Sequence, residues 1–119
     1  MSLFYKWSGL RRFFKYGSPV LSIPEKLLIR KYSKSYPRHP AVFIIGAPRT
    51  GSTILYQLLT NYYNLSYINN FINLGYENIF TAFVLNNIFF DNKPHESYQS
   101  SYGKTEKGGL NAPNEGGGF

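Results

Sequence analysis

Residues 46–53 read GAPRTGST and follow directly on the apolar run AVFII at 41–45. Gly46 and Gly51 have the spacing of a triphosphate-binding loop, G-x-x-x-x-G-K-[ST], but Ser52 stands where that loop carries its lysine. The nearest cation is Arg49, inside the loop. Its planar guanidinium suits two non-bridging oxygens of one anion and keeps its charge at every accessible pH. Thr50, Ser52 and Thr53 add hydroxyls, and Gly51 lets the backbone approach a ligand without a Cβ in the way. Such a set grips a compact anion rather than a triphosphate. A strand-to-helix turn whose arginine forms an ion pair is the plainer alternative.

Positioning this loop requires an element on each side. The run at 41–45 is apolar and β-branched, bounded by Pro40 and Gly46, which predicts a strand buried on both faces of a parallel sheet. Behind the loop, Ile54, Leu55, Leu58, Leu59 and Tyr62 share one face of a helix beginning at Ser52. The first N–H groups of that helix and its dipole would point at the anion. A second strand is expected at 65–68, then helix over 71–90 interrupted near Gly75. The fold class read from this order is α/β, a parallel sheet with flanking helices of the phosphate-loop hydrolase type. Two strands make an incomplete sheet, so the chain reads as the N-terminal part of a longer domain.

Three regions follow from composition. Residues 1–21 form a basic aromatic arm, 22–90 the α/β part, and 91–119 a Gly-, Asn- and Ser-rich loop or disordered stretch continuing into a further part. The net charge of +7 is concentrated at the front: nine of thirteen Lys and Arg lie in residues 1–40, against Glu25 alone. Leu3, Trp7, Leu10 and Phe14 recur at helical spacing, a short amphipathic helix ending near Gly17. It suits either an anionic membrane surface or packing on the domain. A capping box, Ser22 with Glu25, predicts a second helix from there to about Ser33. Residues 36–40, YPRHP, read as a rigid turn in which His39 is a surface residue. No dense Lys/Arg cluster favours nucleic acid, and the absence of cysteine excludes disulfides and thiolate metal sites. Without a run of 18 apolar residues, no transmembrane helix is expected. The N-terminus lacks the continuous apolar core of a signal peptide, and the expected location is the cytoplasm, with peripheral membrane contact through the arm.

The segment FIIGAPRTGSTILYQLL resembles the 5′-phosphosulfate loop of sulfotransferases that use 3′-phosphoadenosine 5′-phosphosulfate (PAPS), commonly G-x-P-[RK]-[ST]-G-[ST]-[ST] between a strand and a helix. The resemblance is close over residues 42–59 and loose to Phe71. It implies sulfuryl transfer from PAPS, without a metal, to a hydroxyl or amine on a small molecule, saccharide or lipid. Arg49 would stabilise charge on the bridging oxygen, with Thr50, Gly51, Ser52 and Thr53 holding the same group. The family's 3′-phosphate element is expected beyond Phe119. Many members place a glutamate after the second strand, where this chain has Asn69 and Asn70. His95 and Glu96 are the other candidates for a base, His95 with an exposed loop histidine as the alternative; Glu77 reads as a solvated helix residue. A phosphate-loop kinase or hydrolase and a non-catalytic membrane-surface module are the rival functions.

Overall fold

The computed structural model describes residues 7–34, 40–63, 65–91, 93–101 and 104–115. Leu3, His39 and the glycines at 116–118 lie outside them. The chain order is α1 (Ser8–Tyr32), α2 (Ser52–Tyr62), α3 (Asn70–Leu74), a 3₁₀ turn (Tyr76–Asn78), α4 (Ile79–Phe90) and a second 3₁₀ turn (Glu106–Gly108).

The expected α/β parallel sheet does not form. Among the described residues there is no sheet, only two isolated bridges, Asn69 with Pro113 and Ser101 with Lys104. Residues 41–45 have no regular structure and, apart from half-buried Ile44, are exposed: Val42 is 68%, Phe43 82% and Ile45 94% exposed. An apolar β-branched run states a preference, but a strand exists only when a neighbour takes its N–H and C=O groups. The expected neighbour at 65–68 is engaged elsewhere. The Ile68 carbonyl accepts from Asn114 N at 2.8 Å and from the Tyr56 hydroxyl at 3.2 Å.

The front of the chain also differs from expectation. Instead of two short helices, α1 runs unbroken for 25 residues through Gly17, Pro19 and Pro24. Each internal proline costs about 3 kcal/mol in an isolated helix. Tertiary contacts along one stripe offset it. Phe14 is fully buried, edge-on to Phe71 at 5.7 Å, and Leu10 and Leu21 pack around the same cluster with Ala82. Of the stripe expected from sequence, Leu10 and Phe14 therefore face inward. Gly75 makes the approach possible: a Cβ there would stand 2.6 Å from the Ala82 Cβ and 3.0 Å from Phe14.

Ser22 and Glu25 do not form a capping box. The Ser22 hydroxyl donates to Pro19 O within the helix. Glu25 reaches across instead, and its carboxylate accepts from Phe80 N (2.9 Å), Thr81 N (2.7 Å) and the Thr81 hydroxyl (2.6 Å). It thus caps the first turn of α4, where a negative charge also meets the helix dipole favourably. The interruption expected near Gly75 is present as the 3₁₀ turn between α3 and α4.

Of residues 93–101 only His95 is buried, whereas 104–115 pack around the second 3₁₀ turn with Thr105, Ala112 and Pro113 buried. Asparagines hold them. Asn70 Nδ2 donates to Thr105 O and Gly109 O, while its Oδ1 accepts from Asn114 Nδ2 and the Thr105 hydroxyl. Backbone bonds from Asn70 N to Ala112 O and from Phe71 N to Leu110 O, both 3.0 Å, run alongside. Replacing Asn70 with Ala strands several buried groups, each costing about 1–3 kcal/mol. Urea denaturation should show that loss, and limited proteolysis should show residues 104–115 released first.

Candidate functional site

The loop at 46–53 turns sharply onto α2. Arg49 has φ 66° and Gly51 φ 86°, both in the left-handed region. Glycine adopts this freely, whereas for arginine it costs roughly 1–2 kcal/mol. Strain at the loop's one cation is the kind of backbone outlier found at ligand-binding sites. The turn is closed by Thr50, whose N–H (3.3 Å) and hydroxyl (2.7 Å) both donate to Ala47 O. Gly51, left-handed, is followed by helical Ser52, a pairing that directs successive N–H groups into one concavity. No described side chain caps α2 at Gly51, and its first regular bond is Leu55 N to Gly51 O at 3.0 Å. Arg49 and Thr50 are exposed, and Ser52 and Thr53 half-buried. The helix begins at Ser52 as the sequence reading has it, but the strand in front of the loop is absent and the helix turns Gln57 and Thr60 inward while Ile54, Leu55, Leu58 and Tyr62 are exposed.

A carboxylate that sequence reasoning did not find sits at this turn. The Thr53 hydroxyl donates to Glu115 Oε1 across a separation of 62 residues. The asparagine network brings it there: Asn114 is tied to Asn70 and to Ile68 O. No local pattern marks Glu115, whose only distinction in sequence is to be an isolated acid between Pro113 and a glycine run.

Tyr56, one turn along α2, completes the cluster. Burial pushes its phenol up to about 12, with the Ile68 carbonyl opposing and Tyr67 and Glu115 adding to the rise. Tyr67 is raised as well, again through burial. The folded protein holds the Tyr56 proton more tightly than the unfolded chain, whose phenol titrates near pH 10. Stability from this group is therefore complete below about pH 10 and lost as pH rises toward 12. Tyr56→Phe should flatten that alkaline decline, as followed by denaturant midpoints across this range.

His95 is neither an exposed loop residue nor an open base. It is 2% exposed, with Nε2 at 2.9 Å from Gln57 O and 3.0 Å from the Thr60 hydroxyl, and Nδ1 at 3.0 Å from Ser97 O. Its ring lies against Tyr67 and Tyr98, and Asn61 donates to its carbonyl. Both nitrogens are engaged within the protein, so neither faces a substrate proton. The histidine anchors residues 93–99 to α2. Beside it, Gln57 is wholly buried and its amide has no hydrogen-bond partner among the described residues.

Asn69 and Asn70 prove to be framework residues. Asn69 Oδ1 caps α3 by accepting from Ile72 N at 2.9 Å, and its Nδ2 donates to Asn86 and Asn111. Glu77 is exposed in the 3₁₀ turn. Glu96, also exposed, lines a cavity of about 610 Å³ with Tyr98, Lys107 and Asn111, between residues 95–99 and 107–112. Among the described residues no three His, Asp or Glu side chains gather as a metal site, and no helix is long and apolar enough to cross a membrane.

Compared with family models, with curated proteins and with solved structures, the chain finds no match.

Proposed function

We propose that residues 46–53 seat the 5′-phosphosulfate of PAPS and that the protein transfers its sulfuryl group to a hydroxyl or amine acceptor. The observation that carries this reading is Arg49: a permanent charge held in left-handed backbone, three residues ahead of a helix N-terminus that no described side chain caps. Arg49 and the first N–H groups of α2 hold the phosphosulfate oxygens, and the Ser52 hydroxyl completes the seat, while the Thr50 and Thr53 hydroxyls, which donate to Ala47 O and Glu115, shape the loop around it. The acceptor oxygen or nitrogen attacks sulfur in line as the bond from sulfur to the bridging phosphate oxygen breaks. Electrons from that bond remain on adenosine 3′,5′-bisphosphate, where Arg49 meets the new charge. Glu115 takes the acceptor's proton, the role for which no sequence candidate sufficed.

The reading draws its support from the loop's residues and its turn onto α2, and does not require a sheet. Its test is release of adenosine 3′,5′-bisphosphate from PAPS, measured with the intact protein across hydroxyl and amine acceptors. Acceptor-dependent release is expected. Phosphoryl transfer from ATP in the same panel, with PAPS left intact, would favour the kinase reading instead.

A further inference from the structure

The side of α1 turned away from the core is apolar in a way the fold does not use. Phe13, Tyr16, Val20, Ile23 and Leu27 recur at spacings of three and four, so they form one stripe along the helix. All five are exposed, from 57% at Phe13 to 76% at Tyr16. The stripe spans about 21 Å at 1.5 Å per residue. It is distinct from the inward stripe of Leu10, Phe14 and Leu21.

Charge decides what could cover it. At 100° per residue, Arg12, Lys15, Lys26 and Arg30 run along one flank of the stripe, and all four are exposed. The single acid of α1, Glu25, is turned to the opposite side and held by the N-terminus of α4. A second copy packing on this face would bring two rows of cations together without an acid to relieve them. An apolar stripe with a cationic flank instead matches the boundary between acyl chains and anionic headgroups, where a helix lies in the plane of the surface.

We propose that α1 is an interfacial helix which seats the protein on an anionic lipid surface through the face centred on Val20 and Ile23. This proposal is independent of the phosphosulfate reading. Leu10 and Phe14, which sequence alone offers to the membrane, serve the core.

Co-sedimentation of the intact protein with phosphatidylcholine vesicles, with and without phosphatidylserine, tests it. Binding is expected only with phosphatidylserine, and should weaken as salt is raised. The double substitution Val20→Asp with Ile23→Asp should weaken binding about tenfold or more, while circular dichroism and adenosine 3′,5′-bisphosphate titration stay unchanged. Ile88→Asp, at an exposed apolar position of α4, should leave vesicle binding as it was. Equal binding to both vesicle types, no binding to either, or full binding by the double variant would each overturn the proposal. So would a wild-type dimer, seen by sedimentation equilibrium, that the double variant dissolves.

Discussion

Replacing Arg49 with Ala is expected to lower turnover about 10²–10³-fold, equivalent to about 3–4 kcal/mol of transition-state stabilisation. Binding of adenosine 3′,5′-bisphosphate should fall much less, because the charge on the bridging oxygen develops fully only as sulfur leaves. Arg49→Lys should restore part of the rate, keeping a charge but not a fork that meets two oxygens. Arg49→Gly separates chemistry from folding. Glycine relaxes the left-handed backbone at φ 66°, so this variant should be at least as stable as the parent and just as impaired as the alanine one. The readouts are single-turnover sulfuryl transfer and thermal melting. An alanine variant that melts normally and keeps full turnover would make Arg49 a structural residue.

Glu115→Gln should be the other variant with a large effect. Glutamine retains an oxygen to accept from the Thr53 hydroxyl but cannot take a proton from the attacking group. Loss of a positioned general base costs about 10²–10⁴ in rate. Affinity for the bisphosphate should hold or improve, since a negative charge beside an anion seat has been removed. This split, with rate lost and binding kept, is what a purely structural Glu115 would not give. Unchanged turnover with Glu115→Gln would return the residue to the role of tying residues 109–115 to α2.

What could be read from sequence follows physical range. The loop, the start of α2 at Ser52 and the break near Gly75 rest on glycine and on spacings within a few residues, and each is found where it was expected. The sheet was not legible, because the run at 41–45 declares only that it is apolar and β-branched. Whether a neighbour takes its backbone groups depends on residues far along the chain, and here Ile68 gives its carbonyl to Asn114 and Tyr56. In α1, Gly17, Pro19 and Pro24 argued locally for a break, and distant packing of Phe14 and the Glu25 cap of α4 outweighed them. Glu25 shows the same limit at one residue: its box with Ser22 was a sound local option, and two N–H groups from α4 proved better. Glu115 had no local signal, since four hydrogen bonds to Asn70 fold its segment back to the loop. His95, legible as a titratable residue, was not legible as a buried anchor, for its partners Gln57 and Thr60 on α2 are brought to it only by folding.

The claim that residues 46–53 serve PAPS is tested most directly by calorimetric titration of the intact protein with adenosine 3′,5′-bisphosphate in the absence of magnesium, followed by ATP as competitor. Saturable binding that needs no metal, and that ATP displaces poorly, is the expected result. Ser52 in place of the phosphate-loop lysine gives the γ-phosphate no dedicated partner. ATP binding of equal strength that depends on magnesium would contradict the phosphosulfate seat.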